Sequence, residues 1–409
     1  MLPLATVAGF VPRVAPQCLA LLAACALAAA YDALRGRQWV RTIRLSAPPI
    51  LRLTKDVPAV LPITIENASK IEAAIRVALD ETVKEVVAAP GRSLLEWPCT
   101  ARARGDHKIE TLYLETGSPF GLWRWRAVQR VDCTLRVYPN LRDRATAGLF
   151  LKTANVGLRI HRQVGKGREF ENLRQYMPGD SFEDIHWKAT AKRGFPAVKL
   201  YRVEHAQELY AVIDASRLSA REGILESYVD AALHLALVAE RQGDRFGLVT
   251  FSDRTHRFIR ARSGLDHFRL CREAIYNLRA ERVSPDFREA FTSLQTNLRR
   301  RSLLVFFTCL DDALLAENFE RDIPLLARRH LVLVNAARTS GMKPLFADQP
   351  AKNLEELYGE LAGQMLWNRM RRLKIALQNR GVKLAVVDRE RIKMEVTSQY
   401  LDVKRRQAL

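Results

Sequence analysis

Residues 208–219 read ELYAVIDASRLS, an apolar strand over 209–214 that runs directly into Asp214, Ala215 and Ser216. The alternation downstream of it decides the fold. Apolar, strand-like pieces at 246–251, 256–259, 303–308, 331–335 and 383–387 alternate with helix-periodic stretches at 223–241, 265–279, 287–299, 318–329 and 354–379. The chain beyond 389 is again helical in pattern. Short, continuously apolar runs between helices suit a mainly parallel sheet covered on both faces, because each strand is then buried from two sides. The expectation for 208–409 is a doubly wound α/β domain, whose ligand sites lie at the carboxyl ends of the strands.

Upstream the pattern changes to short segments with strand character. Residues 57–66 and 73–79 are rich in β-branched and apolar side chains, 108–115 alternates with period two, and 135–138 closes the series. Turn-prone pieces at 67–69 and 89–92 separate them. Such spacing predicts a small antiparallel β-sandwich over 41–140. Residues 117–123, GSPFGLW, read as a tight turn with two aromatic anchors. A connector over 141–207 joins the two domains.

The N-terminal 1–40 reads as a membrane anchor of one or two short spans. Residues 18–31 form an Ala/Leu run of fourteen, extendable back to Val14, against the roughly twenty a spanning helix needs. A second apolar piece occupies 2–11, before Arg13. Arg35, Arg37, Arg41 and Arg44 come directly after the run, and such clusters stay cytoplasmic. This places the globular domains in the cytoplasm, at the inner membrane. The rival reading is a secretory signal, and Leu22-Ala23-Ala24-Cys25 matches a lipoprotein cleavage pattern.

The chain has 409 residues and a formal net charge of +20. Cationic surface on that scale attracts anionic lipid, nucleic acid or acidic proteins. The recognition modules of nucleic-acid binders are missing, so no nucleic-acid partner is expected. Arg299 to Arg301, and Arg371 with Arg372, read as solvated helix ends and faces. Six cysteines lack metal or redox spacing and read as free thiols; Cys99 and Cys133 would bridge only in an oxidising compartment. His205, His234, His256, His267 and His330 are scattered, which argues against a histidine-built metal centre. Gly165-Lys166-Gly167 lacks the spacing of a phosphate loop. Met365 and Trp367 read as packing residues.

Residues 167–194, GREFENLRQYMPGDSFEDIHWKATAKRG, carry the most distinctive spacing: Tyr-x-Pro-Gly-Asp, then Asp-x-His-Trp-Lys. Pro178-Gly179-Asp180 reads as a turn, since proline fixes φ and glycine takes positive φ cheaply. Asp180 caps the succeeding turn, Asp184 and His186 flank it, and Trp187 buries its ring. Arg168, Arg174, Lys188, Lys192 and Arg193 stand within reach of Glu169, Glu171, Asp180, Glu183 and Asp184, which suggests a rigid, ion-paired loop.

Together with the strand ending in Asp214, this segment resembles the domain-of-unknown-function 58 family, bacterial proteins with a von Willebrand factor A-like domain behind a membrane anchor. Glu169, Phe170, Arg174, Tyr176, Pro178, Gly179, Asp180, Asp184, Trp187 and Arg193 match the family pattern. The resemblance implies a metal-ion-dependent adhesion site at the first strand end, Asp-x-Ser-x-Ser completed by a Thr and an Asp from later loops, holding Mg2+. This chain keeps Asp214 and Ser216 as candidate ligands. It has Leu218 where the second serine belongs, with Ser219 one residue late, Val283-Ser284-Pro285-Asp286 in the threonine loop, and Thr308-Cys309 in place of Ser-Asp. A soft cysteine does not suit magnesium.

The expectation is thus a degenerate site, no cofactor, and a non-enzymatic, membrane-anchored protein-interaction module. Asp214, Ser216, Ser219, Asp286, Cys309 and Asp311 are its candidate contact residues. The resemblance implies a MoxR-type AAA ATPase as partner, in a chaperone-like or envelope-related assembly. The alternatives are a metal-dependent hydrolase using Asp180, Asp184 and His186, or a binder of anionic lipid or nucleic-acid surfaces.

Overall fold

The computed structural model describes residues 15–140, 164–177, 182, 185–202, 207–221, 223–345, 347 and 353–406. The chain divides into two compact units, 1–140 and 141–409.

The first unit opens with helix α1 (Ala15–Thr42), of which Leu19–Thr42 is long and apolar enough to cross a membrane. Two sheets come after it. One contains β1 (Ile43–Ser46), β3 (Pro58–Asn67) and β6 (Gly91–Thr100), all antiparallel. The other runs in the order β2 (Ile50–Thr54), β8 (Arg124–Tyr138), β7 (Gly105–Gly117), β4 (Ala73–Leu79) and β5 (Thr82–Ala88). Leu61, Ile63 and Ile65 alternate inward along β3 and share one core with Ile75 and Val77 of β4 and Leu112 and Leu114 of β7. The sandwich is as expected except at one edge, where β2 pairs with β8 in parallel. Pro48 and Pro49 have no N–H to extend a ladder, and the chain crosses there from the first sheet to the second.

Of the two aromatic anchors expected in the turn between β7 and β8, Trp123 serves as one, donating its indole Nε1–H to Ala29 O of α1 at 3.0 Å. Phe120 is 66% and Trp123 47% exposed. Asp32 of α1 holds the turn as well: its carboxylate accepts from Ser118 Oγ at 2.5 Å and from the backbone N–H of Phe120 at 2.9 Å and Leu122 at 3.3 Å. Cys99 and Cys133 are free thiols.

The described part of the second unit begins with an antiparallel ribbon of β9 (Val164–Gln175) and β10 (Ala197–Arg202), with the short helix α2 (Trp187–Arg193) between them in sequence. Beyond it lies a six-stranded sheet, in the order β13 (Thr255–Arg262), β12 (Arg245–Phe251), β11 (Glu208–Asp214), β14 (Leu303–Phe307), β15 (Leu331–Ala337) and β16 (Val382–Val387). Every neighbouring pair is parallel except the edge pair β12–β13. The covering helices are α3 (Ile224–Arg241), α4 (Leu265–Ile275), α5 (Phe287–Asn297), α6 (Ala313–Asp322), α7 (Pro324–Ala327), α8 (Leu354–Asn379) and α9 (Ile392–Arg405).

The single helix expected over 318–329 is two. Asp312 starts α6 earlier by accepting from the N–H groups of Leu314 and Leu315, and Pro324 opens α7. All five β14 residues, LLVFF, are buried, and Phe287, Phe291, Phe306 and Phe319 meet there, largely edge-to-face. That burial fits a strand sandwiched between helix layers. Met365 is not a packing residue: it is exposed on α8 with Leu354, Leu357, Tyr358 and Leu361 at helical spacing. Trp367 lies off that stripe and packs on the core.

Candidate functional site

The parallel register carries Asp214 of β11 level with Phe251 of β12, so the loops after β11, β12 and β14 share one rim of the sheet. Residues 280–286 are laid across it. Glu281 N–H donates to Ala215 O at 2.7 Å, Arg217 N–H to Val283 O at 2.9 Å, and Asp286 N–H to Ser252 O at 2.9 Å.

At the floor of the rim Asp214 is fully buried, and each carboxyl oxygen accepts one hydrogen bond from the chain itself. Ser216 N–H donates to Oδ1 at 2.8 Å and Thr308 Oγ1 donates to Oδ2 at 2.6 Å. Burial pushes this carboxyl above its ordinary pKa, and the hydrogen bonds from Thr308 and Ser216 only partly offset that. Ser216 Oγ is committed to Leu218 N–H at 3.3 Å, capping the short 310 turn Arg217–Ala220. Cys309 is buried against the Tyr228 hydroxyl at 3.3 Å, and desolvation pushes its thiol up to about 12. It therefore stays a neutral thiol. Ser219 is buried too, its Oγ without a partner among the described residues.

Exposed at the same rim are charges whose role the sequence does not reveal. Arg217 donates to Ser284 Oγ at 3.0 Å and to Asp312 Oδ2 at 3.1 Å, while Arg221 reaches Asp311 Oδ2 at 3.0 Å. Asp311 also accepts from Thr339 Oγ1 at 3.3 Å. Asp286 is exposed and caps α5 through Glu289 N–H at 3.0 Å. Of the candidate contact residues, then, Asp286 is exposed, Asp311 is only 12% exposed at its side chain with Oδ1 buried and without a partner among the described residues, and Asp214, Ser216, Ser219 and Cys309 are buried. The neighbouring charges Arg217, Arg221 and Asp312 come from the stretch after β11 and from the residues just past β14. Only tertiary pairing singles them out, because in sequence they are ordinary charges.

The distinctive segment is a strand–helix–strand unit rather than one loop. Arg174 lies on β9, and Tyr176 just after it stacks on Phe182 at 5.7 Å between ring centroids. Glu169 falls on β9 and Arg193 on α2. Pro178, Gly179, Asp180 and Asp184 lie outside the described residues. Trp187 does not bury its ring, which is 68% exposed at the first turn of α2. Ile185 is buried instead, bridging to Val198. His186 serves as the helix cap, its Nδ1 accepting from Ala189 N–H at 3.0 Å. Gly194 ends α2 in the left-handed conformation that glycine adopts without a Cβ penalty.

Sheet order, the single antiparallel edge and the Asp214 strand end define a von Willebrand factor A-like α/β domain. Residues 172–340 match the family described as "Protein of unknown function DUF58". The "Uncharacterized protein YeaD" of Bacillus subtilis (strain 168) is 26% identical over 170 residues, which is 41% of this chain and 41% of that protein. The chain thus spans about two fifths of that relative's length. Among solved structures, the SpRpn10 VWA domain aligns over 45% of this chain and 88% of its own, at 12% identity and a TM-score of 0.27. The conserved hypothetical protein BatB from Bacteroides thetaiotaomicron aligns over 47% and 98%, at 12% identity and a TM-score of 0.27.

Proposed function

We propose that this chain is a non-enzymatic, membrane-anchored protein-interaction module that meets its partner through the charged rim above Asp214. One observation carries the reading: the residue expected to hold a metal is fully buried, with each oxygen hydrogen-bonded to its own chain, while Arg217, Arg221, Asp286 and Asp312 are the solvent-facing charges of the rim.

A magnesium site at Asp214 and Ser216 does not fit these residues. Mg2+ wants near-octahedral hard oxygens. Here Leu218 offers none, Cys309 is a neutral buried thiol, and Ser216 Oγ is engaged in a cap. The adhesion site is therefore degenerate, and contact passes to ionic groups that recognise a partner's own charges.

Helix α1 supplies the anchor, with the globular units on the cytoplasmic face where its arginine flank belongs. The partner we infer is a MoxR-type AAA ATPase, a choice that rests on the family resemblance. Replacing Arg217 and Arg221 together by Glu tests the surface by co-purification with such an ATPase. Recovery should fall at least tenfold with the fold intact by circular dichroism. Unchanged recovery would remove this rim as the contact surface.

A further inference from the structure

At the outer edge of the same rim, four side chains converge from three separate stretches. Ser252 and Asp253 come just after β12, His256 lies on β13 beyond a tight turn in which Ser252 N–H donates to Arg254 O at 2.9 Å, and Glu281 comes from the loop laid over the strand ends. One ligand atom each from Asp253, His256 and Glu281 lies within 4.8 Å of the other two.

Ser252 Oγ sits 2.6 Å from His256 Nε2, 2.8 Å from Asp253 Oδ1 and 2.9 Å from Glu281 Oε2. That hydroxyl owns one proton, yet it faces two carboxylates and an imidazole nitrogen at hydrogen-bond distance. With a neutral imidazole, at least one of the two carboxylate contacts has no proton in it. A cation among the three resolves the conflict.

A Ser-His-Glu nucleophile does not describe this cluster. Ser252 is fully buried, so no substrate reaches its oxygen. Glu281 meets the same ring nitrogen as Ser252, at 3.3 Å, so it does not orient the imidazole from the opposite side as an acid–base triad requires.

We propose that Asp253, His256 and Glu281 form a divalent metal site, and that its ion is Zn2+. The 3.3 Å between His256 Nε2 and Glu281 Oε2 is already the donor–donor edge of a tetrahedron with zinc bonds of about 2.0–2.1 Å. One imidazole with two carboxylates is a borderline donor set that suits zinc, whereas magnesium prefers oxygens alone. The three ligands are open to solvent to different degrees, with His256 the least exposed at 21% and Glu281 at 49%. Ser252 lies beneath them as a hydroxyl that holds a ligating carboxylate in place. The fourth position faces water, or a carboxylate brought by a partner. The ion would also tie β12 and β13 to the 280–286 loop and so fix the rim.

The test is a zinc titration of the full-length, tag-free protein in detergent, against a chromophoric chelator. Wild type should take up one equivalent that His256→Gln and Glu281→Gln each weaken at least tenfold. Asp214→Asn and the Arg217/Arg221 double variant should keep that equivalent, which separates this site from the docking surface proposed above. The absence of any saturable zinc in wild type, or wild-type affinity in both the His256 and Glu281 variants, would overturn the assignment. Displacement of the bound ion by an equal concentration of Mg2+ would overturn it as well.

Discussion

The floor and the outer edge of one sheet rim treat their carboxylates in opposite ways. At the floor, Asp214 is desolvated and each of its oxygens has a donor from the chain itself. At the edge, Asp253, Glu281 and His256 crowd one serine proton and face solvent. What separates the two positions is burial rather than the number of hydrogen bonds: Asp214 has no solvent access, whereas Asp253 and Glu281 are exposed and open to an ion or a partner.

The contrast breaks most visibly in stability. Asp214→Ala strips the Ser216 N–H and the Thr308 hydroxyl of their acceptor inside the core, and should cost about 2–4 kcal/mol in denaturant unfolding. Asp253→Ala, in chelator-treated protein, should leave the midpoint where it is. Equal losses for the two would show that the floor is no more committed than the edge.

Next in size is Tyr228→Phe, about 1–3 kcal/mol, because the hydroxyl that accepts from Ala337 N–H at 2.9 Å and contacts Cys309 disappears. A silent Tyr228→Phe would mean that the floor is held by packing alone.

A pH series sharpens the same comparison. Burial raises the Asp214 carboxyl, so its contribution is complete below the ordinary carboxylate range and is lost as pH climbs through the raised folded value. Asp312 behaves in the opposite sense. Partial burial pulls its carboxyl up, but the Leu315 N–H, the Arg217 guanidinium and the Leu314 N–H pull it further down. Its contribution is complete above the ordinary range and is lost as pH falls through the lowered folded value. The stability of wild type minus Asp214→Asn should therefore shrink as pH rises from the carboxylate range of about 4, and wild type minus Asp312→Asn should shrink as pH falls below it. Differences of the same sign would contradict the opposite shifts of these two carboxyls. The smallest effect belongs to Arg217→Ala. As a half-exposed ion pair, it should change stability by no more than about 0.2–1 kcal/mol, even where partner recovery collapses.

Much of the fold was legible in the sequence because burial on two faces writes itself as runs such as Leu303–Phe307, and helical periodicity marks Leu354–Asn379 to the residue. Pieces with weaker patterns were not legible. Strand β6 contains Pro98, tolerated because β6 is a sheet edge. Strand β2 takes its direction from the Pro48-Pro49 crossing. The ribbon β9–β10 hides in a charged stretch that reads as loop.

The candidate site divides in the same way. Leu218 and Cys309 stand where the family resemblance places oxygen ligands, and side-chain identity alone carries that expectation. Asp253 and His256 are three residues apart, but Glu281 lies 25 positions further along the chain. That distance closes only when the 280–286 loop lies over the strand ends.

The one-dimensional pattern set which segments become strands and helices, since hydrophobic period is a local property of the chain. Folding alone decided which acids would be buried against donors of their own chain and which left facing solvent. Hydrogen-bond satisfaction depends on donors delivered from residues as distant as Thr308 is from Asp214.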